Sequence, residues 1–465
     1  MKQRVFTLFF IVLIVPVAIM AQQKNIIENI PEQWTADDFL EQDVPDDDAW
    51  WHIFGDARLD SLIAEAAAGN FSLLAAMENI RAAKAQWRQA QALMFPVFDV
   101  NAGWQRSRTS GNIRATGDES IYSGYFDVAA DVSWQIDLFG TLYKRSQSQK
   151  ELYNASREEY RDVLISLYAN VASGYFSLLQ SLAQLDVLKE SAASQREIMN
   201  IVEVRYNSGL ASKLDLAQAR SVYYSTLASI PVTERLVLQY RNSLAVLLGC
   251  YPQQFAQLTA APLPQVVDPI SIGVPAALLR RRPDIRAAER RIEAYAQLLG
   301  ASKRDWLPQF FLNGSIGFSS TDIKHLPRER SMTWQIAPSL TWNIFDGGKN
   351  SNATREARAN LDQSIAQFNS TLLKATQEVE DAISGYRNSI KQIVALRQTV
   401  NQNEETLRLS VDLYKQGLTP FQNVLDAQRT LLSYRNNLVQ AQGSSLQALI
   451  NLYTALGGGW QYPIE

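Results

Sequence analysis

The chain contains itself twice, and that long-range repeat constrains its fold more than any other feature. Trp134 and Trp342 stand in S-W-Q-I and T-W-N-I, 208 residues apart. Tyr206 and Tyr414 open Y-N-S-G-L and Y-K-Q-G-L at the same offset, and Leu248-Gly249 and Leu456-Gly457 close the halves, again 208 apart. One duplication of this length argues for two copies of one architecture rather than a short-period solenoid. Only the first strand pair departs. Pro96 and Pro308 lie 212 apart, which asks for a connection about four residues longer in the second half, or for a shifted register.

Each half reads helix, strand, loop, strand, long helix, turn, helix. The first repeat spans 57–249, with a helix over 57–94, strands at 97–107 and 122–138, a long helix over 141–205 and a last helix over 211–249. The second spans 283–457, with strands at 309–319 and 333–345. Two half-length helices stacked end to end match one long one. That stacking brings the irregular segments 22–56, 250–282 and 458–465 to mid-height as an equatorial belt.

Period-two alternation marks strands with two unlike faces. Phe126, Val128, Ala130, Val132, Trp134, Ile136 and Leu138 alternate with Asp127, Ala129, Asp131, Ser133, Gln135 and Asp137. Trp334, Ile336, Pro338, Leu340, Trp342 and Ile344 alternate with Thr333, Gln335, Ala337, Ser339, Thr341 and Asn343. A soluble sandwich alternates in the same way. Two features favour lipid: the runs are long, since about ten tilted residues span a membrane, and the aromatics recur. Phe126 and Trp134, like Trp334 and Trp342, stand eight apart, roughly 20 Å along a membrane normal at about 40° tilt, which fits two lipid-facing girdles. Four strands cannot close a barrel, and open edges are not tolerated in lipid, so about twelve strands from three copies are expected. The polar loops 107–121 and 320–332 then face the exterior. Asp127, Asp131 and Asp137 would give the lumen a cation preference.

The long helices carry a heptad seam. Leu164, Tyr168, Val171, Tyr175, Leu178, Leu182 and Leu185 in the first half match Leu372, Thr376, Val379, Ile383, Tyr386, Ile390 and Ile393 in the second. Spacings that alternate four and three make left-handed coiled coils. About 65 helical residues reach roughly 95 Å, enough to cross much of a periplasm. Gly209 and Gly417 suit the left-handed cap after each long helix. Ser212 with Asp215 and Thr419 with Gln422 read as capping boxes, with Pro420 at the first helical position. Asp426 lies too deep to cap. It is either a solvated surface carboxylate or, in a threefold tunnel, one member of an inward ring of three.

The start of the chain reads as a signal peptide over 1–21, with Lys2 and Arg4 before an apolar run from Val5 to Ala21 broken by Pro16; an N-terminal anchor is the alternative. No Cys lies near the cut, so no lipoprotein is expected. After Ala21 no apolar stretch approaches 20 residues, which excludes a helical span. Two His (His52, His325) and Cys250 cannot build a His/Cys metal site or an internal disulfide. Lys plus Arg total 44 against 47 Asp plus Glu, which gives no support for nucleic-acid binding. With no nucleophile–base pair, phosphate loop or metal cluster, no enzyme, cofactor or metal is expected. The Arg280–Arg282 cluster reads as a solvated approach to a helix beginning near Pro283, with Asp284 at its positive end.

Five ordered signatures then carry a resemblance over almost the whole mature chain: W-W-H-I-F-G-D-A-R-L-D-S-L-I at 50–63, L-L-R-R-R-P-D-I-R-A-A-E-R-R at 278–291, Y-N-S-G-L-A-S-K-L-D-L-A-Q-A at 206–219, L-D-A-Q-R at 425–429 and N-L-Y-T-A-L-G-G-G-W at 451–460. The pattern resembles the TolC-like outer-membrane efflux factors, nearest their OprM and NodT branch. The resemblance implies an α+β membrane protein: a trimeric twelve-stranded transmembrane β-barrel, four strands per protomer, continued by a periplasmic α-helical coiled-coil tunnel. It also implies an outer-membrane location, passive conduction, and partnership with a periplasmic adaptor and an inner-membrane pump of the RND type. It places Asp426 at a closed periplasmic tip, and Gly209-Leu210 and Gly417-Leu418 at adaptor-docking tips. The aperture position one turn before Asp426, often Leu in that branch, is Gln422 here, a departure from a hydrophobic constriction. The alternative from another class is a periplasmic coiled-coil scaffold with a soluble β-domain.

Overall fold

The computed structural model describes residues 49–110, 121–255, 261–264 and 281–458. The expected signal peptide, most of 22–56 and 250–282, and nearly all of the tail lie outside the described residues. After a 3-10 turn at Trp50–Phe54 come α1 (Ala57–Gly69), α2 (Phe71–Ala92), β1 (Val97–Thr109), β2 (Ile121–Ile136), α3 (Thr141–Asn207) and α4 (Lys213–Leu247). Then follow α5 (Pro283–Ser302), β3 (Gln309–Ser320), β4 (Met332–Thr341), α6 (Lys349–Lys415) and α7 (Phe421–Ala455). α3 and α6 each hold 67 residues, roughly 100 Å of helix, and α4 and α7 each hold 35.

The helix expected over 57–94 is broken at Asn70, whose backbone is extended at φ −75°, ψ 122°. Its side chain holds the joint. Oδ1 accepts from the Ser72 and Leu73 amides at 2.9 and 3.1 Å, while Nδ2 donates to the Leu247 carbonyl at 2.8 Å. One asparagine therefore caps α2 and anchors the end of α4. Gly249, at φ +75°, follows in the same joint, where an added Cβ would stand 2.0 Å from the Gly69 carbonyl oxygen. From here both α2 and α4 pack against α3.

The 212-residue offset has a different cause from either expectation. Val97 pairs with Ser133 and Gln309 with Thr341, so the register at the base of the two hairpins is the same in repeat terms. From Pro96 to Trp134 the chain takes 38 residues, from Pro308 to Trp342 only 34, so the second hairpin is four residues shorter. β4 also ends at Thr341 rather than 345, because Asp346 turns the chain there: its carboxylate accepts from the Gly348 and Asn350 amides, both at 2.9 Å.

The main core sits where the helices of both halves meet. Trp50 stacks on Tyr453 at 5.6 Å, Trp51 meets Tyr168 edge-on at 4.8 Å, and Phe54 packs on Phe176 at 4.6 Å. These rings pin the segment before α1 between α3 and α7. Of the first seam, Leu164, Tyr168, Val171, Tyr175, Leu178 and Leu185 are buried and Leu182 partly so. In α6, Leu372, Val379, Ile383 and Tyr386 are buried, while Thr376, Ile390 and Ile393 are half-buried. The expectation of no apolar helical stretch meets one exception. α3 holds an 18-residue window of mean hydropathy 1.2, but 56% of that window is buried inside the protein, as in a packed core helix.

Candidate functional site

The four strands form one antiparallel sheet in the order β1-β2-β3-β4, so β1 and β4 each pair on one side only. The registers sort the side chains completely. Phe98, Val100, Ala102 and Trp104 of β1 lie opposite Val132, Ala130, Val128 and Phe126 of β2. Phe310, Leu312, Ile316 and Phe318 of β3 continue this face to Leu340, Pro338, Trp334 and Met332 of β4. From Trp104 to the foot of the sheet the face is apolar across all four strands. Val100 is 79% exposed and Ile336 69%, so no second layer covers it among the described residues, as the core of a sandwich would require.

Phe126 packs against Trp104 at 6.2 Å, a partner the sequence reading missed because Val97 obscures the alternation of β1. Trp334 lies opposite Ile316, and Trp134 opposite Leu312. Trp134 Nε1 donates to the Met94 carbonyl at 2.9 Å, and Trp342 Nε1 to the Trp306 carbonyl at 3.0 Å. Both indoles thus tie the foot of the sheet to the turn that follows a helix.

The opposite face is polar. Asp127 and Asp131 are on it, joined by Asp99, which stands directly across from Asp131. Asn101 Nδ2 donates to Asp131 at 2.6 Å, and Tyr125 OH donates to Gln105 at 3.0 Å. Asp137 is elsewhere. It follows the end of β2, and its carboxylate accepts from the Tyr143 amide at 2.8 Å in the first turn of α3. A free α-helix N-terminus needs such an acceptor, and this local role outweighed the strand pattern.

At the far end, Gly209 (φ +75°) and Gly417 (φ +76°) end the two long helices. The Leu210 amide donates to the Arg205 carbonyl at 2.8 Å and the Leu418 amide to the Leu413 carbonyl at 2.9 Å, the closing bonds of two equivalent turns. Leu210 and Leu418 are both exposed. Ser212 and Asp215 form both bonds of their capping box at 3.1 Å. The Thr419–Gln422 box does not form. Pro420 is the N-cap instead, Thr419 accepts from the Asn423 side chain at 2.6 Å, and Gln422 turns away to Asp426.

Asp426 is exposed, on the side of α7 away from buried Val424, Leu425 and Gln428. Gln422 Nε2 donates to both of its carboxylate oxygens, at 2.9 and 3.0 Å. Arg205, unremarked in the sequence, joins the two tips: it donates to the Lys415 carbonyl at 2.7 Å and lies 4.8 Å over the Tyr414 ring. Burial and nearby Asp215 raise the Tyr414 hydroxyl pKa, against the opposing pull of Arg205.

The Arg282 side chain is only 11% exposed, rather than solvated. It grips Asp284 with two bonds at 3.0 and 2.9 Å, Glu378 at 2.8 Å and the Ala455 carbonyl at 2.9 Å. It thereby fastens α5 to α6 and to the end of α7. Asp162 of α3 shares this cluster. Burial raises its pKa, as do Asp284, Glu378 and Glu159, while Arg282 pulls the other way. Among the described residues no group of His, Cys, Asp or Glu is arranged to hold a metal ion.

Residues 62–250 and 274–458 match the family profile described as outer membrane efflux protein. The probable efflux pump outer membrane protein TtgC of Pseudomonas putida is 31% identical over 88% of this chain and 85% of its own. Outer membrane protein OprJ of Pseudomonas aeruginosa is 31% identical over 88% of this chain and 86% of its own. The solved structure of the outer-membrane channel OprN matches with a TM-score of 0.88 at 28% identity, covering 93% of this chain and 98% of that one.

Proposed function

The chain belongs to the outer membrane efflux protein family, and we propose that three copies close one twelve-stranded transmembrane barrel that a periplasmic helical tunnel continues inward. The protein is an outer-membrane efflux channel, not an enzyme. It conducts passively. The work of export is done by an inner-membrane pump, of the RND type, reached through a periplasmic adaptor.

The sheet carries this reading. One face is apolar and open, and both edges lack a neighbour among the described residues. In water that surface invites aggregation; in lipid the unpaired edges are forbidden. A ring of three sheets satisfies both demands at once. A soluble scaffold satisfies neither.

Within the ring, Phe126 and Trp334, with Trp104, form the outer girdle, and Trp134 and Trp342 the inner one. Asp99, Asp127 and Asp131 line the lumen and favour cations. Gly209-Leu210 and Gly417-Leu418 are the knobs an adaptor grasps, offering exposed leucines on turns with fixed geometry. Asp426 forms a ring of three at the tip. Its bond to Gln422 runs within one helix, so it aims the carboxylate and leaves the closing contact to the neighbouring protomer.

Single-channel conductance in a planar bilayer tests the reading. Wild-type protein gives small, mostly closed currents, and Asp426→Ala raises them. Failure of both proteins to insert, while correctly folded, would favour the soluble scaffold.

A further inference from the structure

The charged residues of the sheet are sorted by face. Asp99, Asp127 and Asp131 all lie on the polar side, while Arg106 and Arg108 lie on the apolar side. Arg106 follows Trp104 by two residues on that face, and Arg108 by four, toward the loop end of the hairpin. An arginine facing hydrocarbon is unfavourable near the middle of a bilayer and tolerated only close to its boundary. Its place here matches that boundary. Arg106 pairs with Gly124, ten residues above Trp134 on β2. At about 3.4 Å per residue and about 40° tilt, that is roughly 26 Å above the inner girdle, where an apolar band about 25 Å tall ends.

A Cβ added at Gly124 would lie 3.7 and 3.8 Å from Arg106 Cγ and Cβ, so the arginine stem covers a position with no side chain of its own. Ser320 and Phe126 continue the row on this face, and no carboxylate occupies a ladder position there. Arg328 and Arg330 are exposed in the turn just before β4, with Glu329 between them. When β4 of one copy meets β1 of the next, these arginines come to the seam that also carries Arg106 and Arg108.

We propose that the outer rim of each seam binds the phosphate groups of an anionic glycolipid headgroup in the outer leaflet, through Arg106 and Arg108 of one copy and Arg328 and Arg330 of the next. The proposal rests on the barrel reading above. Guanidinium groups suit it because they grip phosphate oxygens with two parallel bonds and stay charged at any physiological pH. The bound lipid would also seal the joint between copies.

The test is native mass spectrometry of the full trimer in detergent, titrated with diphosphoryl lipid A or with phosphatidylcholine. Wild type is expected to retain the diphosphoryl lipid at least tenfold more tightly than the zwitterionic one, with up to three copies bound. Arg106→Gln with Arg108→Gln loses that preference, and adding Arg328→Gln and Arg330→Gln removes the residue of it. Arg88→Gln on α2 retains it, and Arg106→Gln alone serves if the multiple variants misfold. Equal retention of both lipids by wild type, or an unchanged preference in a folded Arg106 variant, overturns the site and leaves the barrel standing. A folded protein that inserts into no bilayer overturns the barrel, and the site with it.

Discussion

Arg205→Ala should open the periplasmic end. The Arg205 guanidinium is anchored on α3, yet its bonds reach Lys415 and the Tyr414 ring at the end of α6. An opening in which α6 and α7 swing away from α3 and α4 would break these contacts, whereas the Gln422–Asp426 bond within α7 would survive it. Only the former can bias the equilibrium. A charged hydrogen bond to a carbonyl, discounted for partial exposure, is worth about 1 kcal/mol. The cation–π contact adds about 0.5 kcal/mol at such a site. Three protomers moving together give about 4.5 kcal/mol, a shift of roughly three decades in the closed-to-open ratio. The assay is open probability in planar bilayers, with Arg205→Lys intermediate because it keeps the charge and loses the planar stack. Thermal stability of the trimer should change little, since the contact is at the tip. Open probability unchanged from wild type, in a preparation where Asp426→Ala does open, would exclude Arg205 as a closing contact.

Other consequences follow from particular contacts. Gly249→Ala places a Cβ 2.0 Å from the Gly69 carbonyl at φ +75° and should cost about 3 kcal/mol or more, against about 1 kcal/mol for Gly209→Ala, which has the same φ and nothing within 4 Å; thermal melting of the detergent-solubilised protein separates them. Neutralising Asp99 and Asp131 together removes six lumenal carboxylates per trimer and should lower the cation-to-anion permeability ratio by roughly tenfold in about 0.1 M salt, read from the reversal potential in a salt gradient. Asp162 has a raised pKa in the folded protein, so its contribution to stability is fully present below the ordinary carboxylate value and is lost as pH rises through the raised one. Asp162→Asn should therefore stabilise the protein at neutral pH and flatten the dependence of its melting temperature on the acid side, as pH climbs above the ordinary carboxylate value. An unchanged pH profile in that variant would place the titration elsewhere.

The architecture was readable because its periods are long. Thirteen residues of alternation and seven seam positions leave little choice of element, and six of the seven α3 seam positions are buried, with Leu182 partly so. What escaped was decided by single side chains acting on backbone ends. Asn70 splits a continuous helical pattern because one amide can cap α2 and hold the Leu247 carbonyl together. Asp137 continues the strand alternation in sequence but serves the α3 N-terminus in space. Arg282 looked solvated beside its basic neighbours, yet Asp284, Glu378 and the Ala455 carbonyl gather around it from three elements. Trp104 became visible only once the register set it against Phe126. Arg205 had no local signal, since its partners lie about 210 residues away.

A closed ring requires β1 of one copy to pair with β4 of the next. Disulfide trapping tests it directly. With Cys250→Ser as background, single cysteines are scanned along β1 from Phe98 to Trp104 and along β4 from Trp334 to Leu340, and each pair is oxidised in native outer membranes. Pairs in one register should yield a covalent trimer that survives denaturant and falls to monomer on reduction. A scan that yields only monomers from folded, membrane-inserted protein would contradict the closed barrel.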